Sequence, residues 1–496
     1  MPKRESSQGL ALRPPPEGLP LFRWVYEELR AAIIEGRLKP GSRLPSTRSL
    51  SRQHGVSRGT IVSAFEQLME EGYVETRVGS GTSISRNLPD RFFQTPRSAQ
   101  ADARRVPSSA RLSKWALALA APFSVLPPSQ ISQPFQPNQP ALDLFPIALW
   151  SQLAGRRLRG ASPRMLTGGD PMGYGPLRAA VAAYLGSARG VKCAPEQIFI
   201  VSGTQQALDL TARLVLDPGD QVWVEDPGYP GAVAAFSSAG AKVVGVPVDS
   251  HGLDVSQGQR LAPEARLAYI TPAHQFPLGV SLSLERRLAL LGWAQGAGAW
   301  IFEDDYDGEY RFSGRPLPAV QGLDTTGCVI FGGSFNKMLF PALRLGYVVV
   351  PPQLVEAFSR ARSQTDRFAP VLDQAILCDF ITEGHFGQHI RRMREAYAER
   401  LAALHGAADG PLAGLLEIVR IQAGLQTAAR LPANIPDREA TIAAAALGIH
   451  VDSISNFQIS RRDINGLILG FASSPPEQIR EGAKRLVKAL KGFSAV

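Results

Sequence analysis

The chain has 496 residues, of which 44% are hydrophobic and 20% charged, and a formal net charge of +9. That length exceeds what one ordinary core serves, so two or more domains are expected. No apolar run approaches the roughly 20 residues a membrane helix needs, and the N-terminal residues lack an apolar signal core, so a membrane or exported protein is not expected.

The three cysteines, Cys193, Cys328 and Cys378, are far apart and odd in number. They indicate neither a disulfide framework nor a metal site, and a cytoplasmic location is the expectation. Charge is unevenly spread. Residues 1–115 carry about 19 Lys and Arg against about 11 Asp and Glu, or about +8 of the total. A basic module on a nearly neutral body suits attraction to a polyanion, although a solubilising tail has the same signature.

In chain order, Leu21, Val25, Leu29 and Ile33 recur every four residues, the apolar stripe of a helix that Gly36 and Pro40-Gly41 end. Ser46 is placed to cap a short second helix containing Arg48 and Leu50. His54-Gly55-Val56 reads as a turn, and Ser57 caps a third helix with Ile61, Phe65 and Leu68 on one face. Beyond Gly72, Tyr73-Val74-Glu75-Thr76-Arg77 has strand character. Gly79-Ser80-Gly81 makes a tight turn, and Thr82-Ser83-Ile84 returns as a second strand.

Three helices followed by a hairpin make a winged helix-turn-helix. In that motif the second helix of the pair enters the major groove by its N-terminal residues. Ser57, Arg58 and Thr60 therefore face base edges, and Arg58 is suited to a bidentate contact with guanine. Arg48 reaches a base or phosphate from the preceding helix, and the turn at Gly79 lets the wing backbone approach the DNA.

Residues 1–86 thus read as a DNA-binding domain. Residues 87–140, rich in Pro, Gln, Ser and Arg, read as a linker that includes Gln133-Pro134-Phe135-Gln136-Pro137. Trp115 and the apolar run 116–121 offer the alternative of a short helix docked on a neighbouring domain.

From 141 to 496, strand-like pieces at 198–201, 221–224, 242–248, 267–271, 300–303 and 329–332 alternate with helical patterns such as 205–216 and 284–297. The alternation predicts an α/β fold around a mostly parallel sheet. Gly332-Gly333-Ser334-Phe335-Asn336-Lys337 closes one of these strands on a lysine in an apolar, aromatic setting, which favours the free amine needed for Schiff-base chemistry. Ser334 and Lys337 also have the SxxK spacing of some acylating enzymes, but the companion SDN and KTG motifs do not occur in this sequence.

Pyridoxal 5′-phosphate (PLP) is the cofactor that asks for such a lysine together with further partners. Asp304 is suited to the pyridinium nitrogen, Tyr306 to the ring hydroxyl and Tyr229 to stacking on the ring. Gly203, Thr204 and Gln205 open a helix after a strand and suit the phosphate, with Ser334 and Arg344 adding a hydroxyl and a positive charge.

The run 21–84 resembles the GntR family, carried by Pro40-Gly41-Ser42-Arg43-Leu44-Pro45-Ser46-Thr47-Arg48 and Gly55-Val56-Ser57-Arg58-Gly59-Thr60. Residues 141–496 resemble fold-type I aminotransferases. Thr271-Pro272-Ala273-His274-Gln275-Phe276-Pro277 and Phe340-Pro341-Ala342-Leu343-Arg344-Leu345-Gly346-Tyr347 are similar to the MocR subfamily, which joins a GntR head to an aminotransferase-like body.

The resemblance implies double-stranded promoter DNA as a partner, DNA contacts at Arg48, Ser57, Arg58, Thr60 and Gly79, a homodimer with swapped heads, and PLP on Lys337. It also implies control by an effector, either PLP itself or an amine or amino acid that reacts with it. Four positions depart from the aminotransferase pattern, the mildest being Asn336, where serine is common. Ile468 stands where those enzymes place the arginine that grips a substrate carboxylate, Phe276 where they have asparagine, and Gly168 where tyrosine is usual. Loss of the guanidinium removes the usual bidentate anchor. A regulator is therefore expected over an active aminotransferase with an accessory head.

Overall fold

A computed structural model describes residues 18–77, 81–88, 133–312 and 318–493, together with 10, 12–14 and 116. The chain divides into two compact units, 1–111 and 112–496. Gly79, Trp115 and residues 117–121, singled out above, lie outside the described residues.

In the first unit, helices α1 (Leu21–Ile34), α2 (Thr47–His54) and α3 (Arg58–Glu70) precede the antiparallel strands β1 (Val74–Arg77) and β2 (Gly81–Ile84), paired from Val74↔Ile84 to Arg77↔Gly81. Val25, Leu29 and Ile33 are buried as their spacing predicts, but Leu21 is 49% exposed and Trp24 takes its place in the core. At 3.6 residues per turn a four-residue repeat drifts about 40° per step, so its far end leaves the buried face. Leu50, Ile61, Phe65 and Leu68 complete this core with Tyr73, Val74 and Ile84 from the hairpin.

The second unit is built on an eight-stranded sheet of order β3-β10-β9-β8-β7-β4-β5-β6. Its strands are β3 (Ile198–Val201), β4 (Gln221–Asp226), β5 (Lys242–Asp249), β6 (Gly252–Leu253), β7 (Leu267–Ile270), β8 (Trp300–Asp305), β9 (Val329–Ser334) and β10 (Gly346–Val349). β4, β5, β7, β8 and β9 run parallel, whereas β10 lies antiparallel between β9 and β3, and β6 is antiparallel on β5. Every residue of β3, β7, β9 and β10 is buried. A strand buried on both faces carries no alternation and reads as a short apolar run.

A second, antiparallel sheet of order β11-β12-β14-β13 follows, with β11 (Glu417–Ile418), β12 (Gln426–Arg430), β13 (Asp452–Ser453) and β14 (Gly466–Gly470). The strand pattern above does not foresee it, because two of its strands are only two residues long.

The stretch 133–140, assigned above to the linker, belongs to the second unit. Phe135 is fully buried, and its carbonyl accepts the Gly470 N–H at 2.8 Å. A Cβ on Gly470 would lie 1.9 Å from the Gln136 carbonyl oxygen, so the two backbones touch. Proline and glutamine content suggests a solvated chain; one phenylalanine and a run of backbone contacts override it.

Candidate functional site

Two sets of candidate residues occupy the two units. In the first, Ser46 caps α2 by accepting the Ser49 N–H, and Ser57 caps α3 by accepting the Thr60 N–H at 3.1 Å. The Ser57 and Thr60 hydroxyls also share a hydrogen bond of 2.8 Å. Both hydroxyls thus have a local partner, and Ser57 serves the helix start itself.

Arg48 and Arg58 are exposed, and neither has an ion-pair partner among the described residues. Arg52, which the sequence reading passed over, is in the same state. Arg43 was also missed. A Cβ on Gly81 would lie 2.8 Å from its guanidinium, so that side chain lies against the base of the wing. Gly81 itself has φ +79°, a conformation that needs glycine.

In the second unit the candidates gather at the ends of β8, β9 and β3. Lys337 follows β9 in the short helix Phe335–Met338, and its Nζ donates to the Asn138 carbonyl at 2.7 Å. Although part of the side chain remains accessible, burial of the amine lowers its pKa to about 8, against the opposing pull of Asp307 and Asp304. Asp304, inside β8, accepts the Tyr269 hydroxyl at 2.9 Å and the Thr204 hydroxyl at 3.4 Å. Burial nevertheless raises its pKa to about 7. A carboxylate so placed gains from a cation beside it, and a protonated pyridine nitrogen is one.

The helix Thr204–Val215 starts beside Asp304, with Gly203 at φ +135° as its N-cap. A Cβ on Gly203 would lie 3.1 Å from Asn336 Nδ2 and 3.7 Å from Arg344. The N–H groups of Gly203, Thr204 and Gln205 donate no hydrogen bond among the described residues. Arg344, exposed and at φ +51°, has no ion-pair partner there. Unpaired N–H groups at a helix start beside a free guanidinium suit a phosphate. Ser334 is buried at the end of β9 and pairs in register with Gly346, the residue whose Cβ would meet the Gly203 backbone.

Aromatic rings close the space. Tyr229 donates to Gln205 Oε1 at 3.3 Å and lies near Asp304 and Arg344; burial pushes its hydroxyl up to about 12. Phe276 packs edge-to-face against Tyr229 at 6.1 Å and Tyr306 at 6.3 Å. Its loop is held from beneath: Glu225 accepts the Thr271 hydroxyl at 2.5 Å, and Thr271 Oγ1 accepts the Phe276 N–H at 3.0 Å. Ile468 is fully buried in an apolar cluster with Phe276, Tyr306, Ala428 and Ile454. An aliphatic side chain thus stands where the resemblance places an arginine in aminotransferases.

Tyr306 is buried, and its hydroxyl lies 3.1 Å from His274 Nδ1. Asn138, His274, Asp307 and Asn336 were not singled out as site residues. His274 and Asn336 sit inside motifs already quoted and carried a signal; Asp307 directly follows Tyr306 but lay outside those motifs, and Asn138 carried no signal because its proline-rich surroundings read as linker.

The second unit fits what PLP needs: an amine of lowered proton affinity, an anion cradle, a buried carboxylate and stacking rings. Comparison with known proteins bears on both units. Residues 22–84 match the family described as bacterial regulatory proteins, gntR family, and residues 138–486 match aminotransferase class I and II. The chain is 42% identical over 472 residues to the probable rhizopine catabolism regulatory protein MocR of Rhizobium meliloti, covering 95% of this chain and 94% of that protein.

It is 30% identical to the HTH-type pyridoxine biosynthesis transcriptional regulator PdxR of Corynebacterium glutamicum, covering 92% of this chain and 93% of that one. Among solved structures it resembles LysN, an α-aminoadipate aminotransferase of Thermus thermophilus complexed with N-(5′-phosphopyridoxyl)-L-leucine. The TM-score is 0.68 at 30% identity, over 74% of this chain and 94% of that one.

Proposed function

Because the chain belongs to the MocR subfamily of GntR-family transcriptional regulators, we propose that it binds promoter DNA through its winged helix and PLP through Lys337. PLP itself, or an amine or amino acid that reacts with it, is the signal. The observation that carries this reading is the convergence on one lysine of groups that each match a different part of PLP.

The free N–H groups at Gly203, Thr204 and Gln205 bind the phosphate, with Ser334 and Arg344 beside them. Asp304 holds a proton on the ring nitrogen, Tyr229 covers the ring and Tyr306 orients the ring hydroxyl. At pH 7 about a tenth of Lys337 amines are free to attack a carbonyl, against about one in several thousand for an ordinary lysine. Bound PLP supplies an electrophilic carbonyl and an electron sink. Arg48, Arg58 and Thr60, on a helix start capped by Ser57, supply the DNA contacts, with Gly79 at the wing. Two half-sites ask for two heads, so a homodimer with swapped heads is part of the proposal.

A second reading, an active aminotransferase, is favoured by the completeness of the same partner set. Ile468 argues against it, since the residue at that position gives a substrate carboxylate no guanidinium. Sustained turnover with amino-donor and keto-acid pairs would establish it; none is expected.

The test is DNase footprinting of the DNA flanking the protein's own gene, at fixed salt, with and without PLP, for the wild type and Lys337→Ala. A pair of protected half-sites whose affinity or pattern responds to PLP only in the wild type is the expected result. A PLP response that survives Lys337→Ala would reject Lys337 as the attachment point. Protection indifferent to PLP in both proteins would shift the signal to amines presented together with PLP.

A further inference from the structure

The loop that joins β13 to β14 is tied to the end of β4 by a carboxylate that the cofactor reading leaves without a role. Asp226, buried at the last position of β4, accepts the Ile459 N–H at 2.9 Å on Oδ1. Its Oδ2 accepts the Ser460 N–H at 2.8 Å, the Ser460 hydroxyl at 2.7 Å and the Arg461 N–H at 3.0 Å. Successive N–H groups that converge on one anion form a nest, and here the anion is a side chain from the other sheet.

The neighbouring strand makes room for this contact. A Cβ on Gly245 of β5 would lie 2.7 Å from Asp226 Oδ2 and 3.0 Å from Ser460 Oγ. Two further bonds hold the same loop. The Gly228 N–H donates to the Phe457 carbonyl at 2.9 Å, and Arg461 Nη1 donates to the Val248 carbonyl of β5 at 3.2 Å. Burial opposes the charge on Asp226, but its N–H donors outweigh burial and hold its pKa below the ordinary carboxylate value.

The loop brings a ring to the aromatic wall of the cofactor site. Phe457 packs edge-to-face on Phe276 at 5.1 Å, and Phe276 packs in the same way on Tyr229 at 6.1 Å. All three belong to one apolar cluster with Tyr306 and Ile468. Tyr229 follows Asp226 by only three positions. The carboxylate that holds the loop and the ring assigned to cover PLP thus share one short segment, and the loop returns to that ring through Phe276.

Resting on the reading that Lys337 carries PLP, we propose that Asp226 is a positioning residue for the cofactor site: it clamps residues 459–461 to the end of β4, so that Phe457 braces Phe276 and, through it, Tyr229. A residue that only stabilised the fold would change the melting temperature and leave the rate of PLP loss as it is.

Two rates test this on the full-length chain. The first is tryptic cleavage after Arg461 and Arg462, mapped by fragment mass in the PLP-free protein; Arg462 is exposed, and cleavage reports how often the loop opens. The second is loss of bound PLP after dilution, followed by its visible absorption. Asp226→Asn keeps the size of the side chain but sets an amide NH2 against N–H donors. It is expected to speed cleavage by about tenfold or more, and PLP loss several-fold. Phe457→Ala leaves the clamp in place, so it is expected to speed PLP loss and leave cleavage unchanged. Unchanged cleavage in Asp226→Asn overturns the clamp, and unchanged PLP loss in either variant overturns the bracing. If Asp226→Asn fails to fold, Ser460→Ala, which removes one of the four donors, is read in its place with smaller expected changes.

Lys337→Ala separates these failures from that of the underlying reading. Borohydride-reducible PLP retained in that variant rejects Lys337 as the attachment point. The tryptic comparison, made without PLP, then still decides whether Asp226 holds the loop.

Discussion

The two units place their functional groups in opposite ways. In the first, Arg48, Arg52 and Arg58 are exposed, have no ion-pair partner among the described residues, and sit on two adjacent helices within 11 positions of chain. In the second, Lys337, Asp304, Tyr306, Asp307 and His274 are wholly or partly buried, and they come with Asn138 and Gly203 from segments far apart in the chain. A DNA-reading surface must meet a highly charged partner across water, so its cations stay solvated and free. A cofactor site must change the proton affinity of its groups, and burial together with neighbouring charge does so: Lys337 is lowered to about 8 while Asp304 is raised to about 7. The difference teaches that one unit's chemistry is local in sequence and the other's is not.

The sharpest way to break this comparison is to disturb a distant support of the buried site. Phe135→Ala removes a fully buried ring three residues before Asn138, the carbonyl partner of Lys337. It is expected to destabilise the second unit by about 3–5 kcal/mol, read as a lower denaturation midpoint and weaker PLP retention. A change within error would return residues 133–140 to the linker. Next, Arg58→Ala is expected to cost about 1–3 kcal/mol of specific DNA binding while PLP uptake stays unchanged. Unchanged promoter affinity would remove Arg58 from the readout.

The pH dependence of Lys337 sharpens the contrast. With the amine at about 8, the rate of PLP uptake is expected to fall about fivefold from pH 8 to pH 7 as the free amine is lost. The sign for stability is the same. A lysine whose pKa falls on folding binds fewer protons folded than unfolded between about 8 and 10.5, so the PLP-free protein gains stability as pH rises through that window. Lys337→Met should abolish that gain, and an identical pH–stability curve in the variant would deny the burial effect. The smallest expected effect is local to the first unit. Ser57→Ala removes the α3 cap and is expected to lower stability there by about 1 kcal/mol or less, checked by thermal melting of the full chain.

How much was legible follows the same division. The caps at Ser46 and Ser57, the buried face of Ile61, Phe65 and Leu68, and the positions of Arg48 and Arg58 rest on contacts a few residues apart, which spacing encodes directly. In the second unit, short apolar runs located β3, β4, β5, β7, β8 and β9, because a doubly buried strand is apolar throughout, whereas β6 and the antiparallel β10 were not foreseen. Motif resemblance marked the lysine and most of its candidate partners.

Three features were decided only in three dimensions. The chain 133–140 packs against β14, His274 meets Asp307 at 2.8 Å and Tyr306 at 3.1 Å from a separate loop, and Ile468 joins an apolar cluster with Phe276 and Tyr306. The sequence by itself determined the local architecture of the head, the alternation of the mainly parallel strands with helices in the body, and the residue types available for cofactor chemistry. The tertiary structure alone decided which of those residues meet, since burial and charge act through space and their partners lie up to two hundred positions apart, as Lys337 and Asn138 do.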